Sequence, residues 1–166
     1  MVDKFIYRRS ARVRWMYSIS LFLALVVDSL ILALGKSVML PPFTVLTLLF
    51  WSGHFLDRSY IITAFILGLC LDTLYQTVLG SHAAILITIT YVMTRHRLHF
   101  SGYTYWQQAF YVSGYLFAYQ TTVFLFYNPV LTDYEPLFFW TTPLFGGVIW
   151  LALAPVLNRL SLQMET

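Results

Sequence analysis

Long apolar runs separated by short polar segments dominate the chain and determine its predicted elements. A helix needs about 20 apolar residues to cross the roughly 30 Å hydrocarbon core of a membrane. The pattern therefore predicts an all-α integral membrane protein, a bundle of six transmembrane helices. The predicted spans are 15–34, 38–56, 60–75, 81–94, 106–127 and 138–157.

The third and fourth runs, 60–75 and 81–94, are shorter than the others. They could share the residues that lie between them, cross a thinner membrane, or form a re-entrant hairpin. The sequence leaves these three arrangements open. Six spans is the expectation for the chain as a whole.

The composition excludes an ordinary soluble domain. The chain is 59% hydrophobic and 10% charged, whereas soluble domains are about 45–50% apolar and about 25% charged. Its 166 residues provide room for six spans and short loops, with none left for a separate soluble domain. Residues 1–166 are therefore predicted to form a single membrane domain.

The first apolar run, from Trp15 to Leu34, follows a basic N-terminal segment and so resembles a signal peptide. It is longer than the apolar region of a typical signal peptide, which has roughly 7–15 residues. Asp28 also interrupts the run. We therefore expect it to be retained as the first span.

Basic residues are distributed unevenly between the two sides of the predicted bundle. Nine of the ten Lys and Arg residues fall on one side, and only Lys36 falls on the other. The positive-inside rule makes the basic side cytoplasmic and places both termini there. Because the basic residues cluster at span ends, they predict contacts with anionic membrane lipids rather than nucleic acid. The nine are Lys4, Arg8, Arg9, Arg12, Arg14, Arg58, Arg95, Arg97 and Arg159.

Two carboxylates, Asp28 and Asp72, lie inside predicted spans, where an acid needs a partner or water. Counting about 1.5 Å per residue from the cytoplasmic ends places Asp28 about 20 Å, Asp72 about 18 Å and Gln120 about 21 Å deep. These depths predict one polar layer in the outer leaflet. Further polar residues in the outer parts of spans are Thr44, His82, Thr141 and Thr142.

The polar layer has two interpretations. Asp28, Asp72 and Gln120 could line an outward-facing pocket or groove that receives a ligand or a partner's transmembrane helix. Alternatively, they could hold the bundle together through hydrogen bonds between helices.

Two glycines flank Asp72 at informative spacings. Gly68 lies one helical turn before Asp72 on the same face, where a missing side chain lets another helix approach closely. Gly80 lies eight residues after Asp72, where it can break or cap a helix near the outer surface.

Three stretches in order, PPFTVLTLLFW, GLCLDTLYQTVLGSHA and YWQQAFYV, resemble the rod shape-determining protein MreD family. The resemblance covers essentially the whole chain. One departure is Gln76, where relatives often have glycine, and it weighs against a tight turn at that point. The residues to which the resemblance points are Pro41 or Pro42, Gly68, Asp72, Gly80, Trp106 and Gln107.

The resemblance implies a subunit of the cell-elongation machinery in the bacterial inner membrane, a scaffold and regulator that supports peptidoglycan synthesis and cell shape. Its implied partners are the bitopic protein MreC, the filament protein MreB, and the RodA glycosyltransferase with its penicillin-binding transpeptidase. The family is also similar in fold to the substrate-binding subunits of energy-coupling-factor vitamin transporters. A small-molecule-binding transporter subunit is therefore the alternative.

Catalytic chemistry finds little support in the residues. His96 and His99 have a spacing that could suit a metal, but no carboxylate is nearby in sequence, and we assign no metal or cofactor. No Ser, Thr or Cys nucleophile has an evident base, and phosphate-binding glycine motifs are absent. Cys70 is the single cysteine and excludes an internal disulfide. The sequence predicts a protein that is not an enzyme.

Overall fold

The computed structural model describes residues 11–35, 40–54, 60–127 and 135–163. This part of the chain is helical, as predicted, and each helix overlaps one apolar run. Residues 57 and 58, between the second and third predicted spans, lie outside the described residues, as do Lys36 and Asp133. The helices are α1 (Ala11–Ala33), α2 (Phe43–His54), α3 (Ile61–Leu74), α4 (Ser81–Ser101), α5 (Tyr105–Tyr127) and α6 (Glu135–Gln163).

Among the described helices, two contain a segment that is both long and apolar enough to cross a membrane. These segments are Trp15–Ala33 in α1 and Phe139–Ser161 in α6. Helix α2 has 12 residues and helix α3 has 14. Both are apolar, but both are shorter than a full crossing requires.

Helix α4 is longer than the predicted run 81–94. It continues to Ser101, so the segment RHRLHFS, which lies beyond the predicted span, is helical. No glycine or proline interrupts this segment before Gly102, and the buried ring of Phe100 anchors the last turn to the core. The resulting helix of 21 residues is long enough to cross the hydrocarbon.

Helix α2 lies at the centre of the bundle. Ten of its 12 residues are buried, and it packs against α1 and α4 with smaller contacts to α5 and α6. Around it, the most extensive helix pairs are α3 with α4 and α5 with α6. A helix that is apolar on every side, as α2 is, needs burial in a protein core or in lipid, and α2 is buried in the bundle.

A tight turn joins α3 to α4, although Gln76 had weighed against one. Gln76 adopts a left-handed backbone conformation with φ +54°, and the N–H of Thr77 donates to the carbonyl of Asp72 at 2.9 Å. This is the helix-ending arrangement that usually has glycine at the left-handed position. The sequence left this turn in doubt, and in the structure glutamine takes the left-handed position in place of glycine.

Gln76→Gly is expected to stabilise the protein by about 1 kcal/mol, because glycine has no Cβ to strain the left-handed conformation. Thermal unfolding in a fixed detergent measures the effect. Gln76→Ala is the matched control, since alanine keeps the Cβ and should give no such gain. Equal stabilisation by both substitutions would contradict the backbone explanation.

Candidate functional site

Asp28 caps the N-terminus of α2. Its Oδ1 accepts a hydrogen bond from the backbone N–H of Phe43 at 2.8 Å, and its Oδ2 accepts one from the N–H of Thr44 at 2.9 Å. The first N–H groups of a helix have no partner within the helix, and together they carry partial positive charge. An acid that is only 2% exposed is thereby accommodated without a cation.

Asp72 caps α4 in the same way and with more partners. Its Oδ2 accepts from the N–H of Gly80 at 2.7 Å, and its Oδ1 accepts from the N–H of His82 at 2.8 Å. The hydroxyls of Ser81 and Thr77 donate to Oδ1 at 2.9 and 3.1 Å. Gly80 itself has φ +99°, a conformation that glycine adopts without strain, and this turns the chain into α4.

Asp28 and Asp72 therefore have the same structural role, which is to cap the next helix. Each lies near the C-terminal end of one helix and binds the N-terminus of the next, Asp28 for α2 and Asp72 for α4. Their carboxylate oxygens are occupied by groups of the chain itself, which favours the interpretation that they hold the bundle together. That Asp28, Asp72 and Gln120 form a ligand or partner pocket remains a prediction.

A half-open cavity of about 280 Å³ lies beside the two capped helix ends. Gln120 lines it directly, whereas Asp28 and Asp72 are not among its lining residues. Asp72 is bound to the wall residues Thr77 and His82, and Asp28 is bound to Phe43, which follows the wall residue Pro42. The structure therefore brings all three predicted residues close to the cavity. The polar and aromatic wall residues besides Gln120 are Tyr75, Thr77, His82, Tyr119, Tyr127, Phe139 and Thr142.

His82 connects three helices at this level. Its Nδ1 lies 2.9 Å from Oδ1 of Asp72, and its ring stacks on the rings of Tyr75 and Tyr127, with centroids 5.5 and 5.6 Å away. The sequence places His82 in the outer polar layer but gives it no partner. No group of three His, Cys, Asp or Glu residues within the described ranges could hold a metal ion.

Gln120 is bound to a carbonyl that a proline leaves unpaired. In a regular helix the carbonyl of Phe139 would accept from the N–H of residue 143, but Pro143 has none. The side-chain Nε2 of Gln120 donates to this carbonyl at 2.5 Å. A side chain on α5 therefore supplies the hydrogen bond that α6 lacks.

Gln120→Leu is expected to cost about 1–3 kcal/mol, because it leaves the Phe139 carbonyl unsatisfied in a setting poor in water. The cost should fall when Pro143 is also replaced by Ala, since residue 143 then donates to Phe139 itself. Thermal unfolding of the wild type, both single variants and the double variant measures this coupling. Strictly additive effects would show that the carbonyl does not depend on Gln120.

The remaining motif residues fall into two groups. Pro42 lines the outer cavity, and Gly68 packs against the backbone of Ala83 on α4. Pro41, next to Pro42, packs near Gly146 of α6. These residues pack close to the helix ends that Asp28 and Asp72 cap.

Trp106 and Gln107 lie at the start of α5, at the far end of that helix from Gln120. Gln107 caps this helix end, because its Oε1 accepts from the N–H of Thr104 at 3.0 Å, and Trp106 is 76% exposed. The residue missed in the sequence is Gln108, which is buried, donates to the carbonyl of Tyr103 and accepts from the indole of Trp150. It was missed because the family resemblance points to the adjacent Gln107 instead.

The chain is similar to proteins of one family. A family model described as rod shape-determining protein MreD matches residues 9–161. The rod shape-determining protein MreD of Haemophilus influenzae is 28% identical over 113 residues, which cover 68% of this chain and 70% of that relative. No solved structure matches the chain. The matched region includes both carboxylates and every described wall residue of the outer cavity.

Proposed function

Because this chain belongs to the rod shape-determining protein MreD family, we propose that it is a non-catalytic scaffold and regulator of the bacterial cell-elongation complex. In this role it binds MreC and supports peptidoglycan synthesis and cell shape. MreB, RodA and its penicillin-binding transpeptidase are further proposed partners. The observation that carries the non-catalytic role is that both oxygens of Asp28 and of Asp72 accept hydrogen bonds from the starts of α2 and α4, which gives each acid a structural role.

The proposed topology is six crossings of the bacterial inner membrane, with both termini in the cytoplasm and a fold similar to the transporter subunits named above. The end of α4 supports this orientation, because it carries Arg95 and Arg97, and the end of α6 carries Arg159. The capped starts of α2 and α4, with the cavity beside them, then face the outer leaflet.

Helix α1 offers a lateral surface for a partner's single transmembrane helix. Its side chains Trp15, Phe22 and Leu30 are 71%, 66% and 59% exposed, and they repeat at helical spacing. Among the described helices, α1 has extensive contacts with α2 alone. Close packing of apolar side chains is a main source of helix association in lipid, and MreC, as a bitopic protein, would contribute one such helix.

Co-purification tests the scaffold role. Tagged full-length protein is expected to bring down an MreC-like partner from solubilised membranes, and its depletion should change cell width. Phe22→Ala with Leu30→Ala should weaken the capture without reducing the folded yield, because both side chains are exposed. Phe110→Ala, at an exposed position on α5, is the matched control. Absence of the MreC-like protein from the wild-type capture would overturn the proposal.

The outer cavity favours one alternative function, a small-molecule-binding subunit of a vitamin-type transporter. A concave, mostly apolar cavity with a few convergent polar groups is typical of ligand sites, and the side chains of Tyr119, Gln120 and His82 line this one. Native mass spectrometry of the purified protein with added vitamins tests it. Tight vitamin binding in the absence of an MreC-like partner would replace the scaffold proposal with this one.

A further inference from the structure

A lateral groove runs along the seam between α4 and α5, separate from the outer cavity. Its outer part has a volume of about 350 Å³ and its inner part about 390 Å³. Val92 and Tyr115 line both parts, so the two depressions adjoin along the seam. The groove exists because α4 and α5 pack against each other much less than α3 with α4 or α5 with α6.

The outer part of the groove is apolar and is lined in part by small side chains. Ala84 and Thr88 of α4 and Ala118 of α5 are exposed, and these small side chains leave the depression between the helices unfilled. The hydroxyl of Thr88 is bound to the carbonyl of Ala84 on its own helix at 2.9 Å, so it presents its methyl group. This part suits a slender hydrocarbon chain.

The inner part of the groove has a different character. His96 and His99 line it. Arg95 is exposed on α4 one helical turn from Val92 and His99, and it lines a separate shallow depression with Tyr91 and Arg97. On the opposite wall the rings of Tyr103 and Tyr111 stack at 5.0 Å, with their hydroxyl oxygens 3.4 Å apart. A permanent cation nearby, two imidazole rings and two phenol hydroxyls together can donate hydrogen bonds to an anionic head group.

We propose that the α4–α5 groove binds an anionic phospholipid, with its phosphate among Arg95, His96 and Tyr103 and an acyl chain along the apolar part towards Ala118. The proposal rests on the orientation given under Proposed function, which places the basic end of α4 in the inner leaflet. A single anionic amphiphile matches both the charge at one end of the groove and the apolar lining of the rest.

A partner's transmembrane helix fits this groove less well. The exposed cation Arg95, near the basic end of the groove, has a complementary charge on an anionic lipid, whereas the apolar side chains of a membrane helix offer none. Anionic lipid is attracted to a basic surface by about 1 kcal/mol for each basic residue. The charge therefore favours lipid as the occupant of the groove.

Native mass spectrometry of the purified full-length protein tests the lipid site. Phosphatidylglycerol is expected to remain bound at energies that remove phosphatidylcholine with the same acyl chains. Arg95→Gln should weaken phosphatidylglycerol binding about fivefold, and Ala118→Phe should reduce it by filling the apolar part. Arg159→Gln is the matched control, since Arg159 is an exposed cation at the end of α6 and outside the groove.

Equal retention of both lipids, or equal effects of Arg95→Gln and Arg159→Gln, would overturn the lipid site. So would a photo-crosslinker at residue 118 that captures a protein helix instead of lipid. MreC capture measured on the same preparations separates the two proposals. A wild-type protein that captures MreC without lipid selectivity contradicts the lipid site alone, whereas selective lipid binding without MreC capture contradicts the scaffold alone.

Discussion

Gly68→Ala is expected to abolish most of the folded protein. A Cβ at residue 68 would lie within 2.5 Å of the backbone N of Ala83 and nearer still to its Cα. Backbone atoms cannot move aside as a flexible side chain does, so α3 and α4 would have to separate. Their separation would also pull Asp72 away from the start of α4, and we expect a loss of about 3 kcal/mol or more.

The yield of monodisperse protein in size-exclusion chromatography and the midpoint of thermal unfolding measure this effect. Gly114→Ala is the matched control, because Gly114 is exposed on α5 and a Cβ there would meet nothing within 4 Å. It should be neutral or stabilise by up to about 1 kcal/mol through helix propensity. A normal yield and midpoint for Gly68→Ala would show that the two helices do not pack as closely as described.

Asp72→Ala is expected to cost about 3–5 kcal/mol, because it removes the acceptor for the start of α4 in a buried setting. The N–H groups of Gly80 and His82 would lose their partner. The hydroxyl of Thr77 and the Nδ1 of His82 would each lose one hydrogen bond and keep the contact with each other. Chemical unfolding measures the cost. Hydrogen exchange should rise at the first amides of α4 while the centre of α2 stays protected.

Asp72→Asn should have a smaller effect, since an amide oxygen still accepts at one position while its NH₂ faces a donor. Asp28→Ala should also cost less, because Asp28 accepts backbone hydrogen bonds from Phe43 and Thr44 alone. Thr73, an exposed neighbour of Asp72, provides the control. Thr73→Ala should change stability by less than about 0.5 kcal/mol. Normal folding of Asp72→Ala with lost partner capture would instead favour a pocket role for Asp72.

The sequence predicted the helices and the shared level of the polar residues because both follow from regular geometry. Apolar runs identify helices that must be buried in protein or lipid, and a constant rise per residue aligns positions along them. Helix ends were less accurate. The second run began at residue 38, but α2 begins at Phe43, after Pro41 and Pro42 and at the position that Asp28 caps.

The partners of the polar residues could not be predicted. Asp28 and Asp72 bind backbone N–H groups, which every residue except proline carries and which therefore leave no sequence signal. Gln120 binds a carbonyl that is free only because Pro143 stands four residues later on another helix. Such pairs depend on which helices are neighbours, and apolar periodicity does not reveal that.

The accessibility of single cysteines in a Cys70→Ser background tests the proposed topology most directly. Asp133→Cys, in the segment between α5 and α6, should react with a membrane-impermeant thiol reagent in intact cells. Thr166→Cys, at the C-terminus, should react only after the inner membrane is permeabilised. The reverse pattern, with residue 166 labelled from outside and residue 133 protected, would place the capped helix ends towards the cytoplasm and contradict the proposed topology.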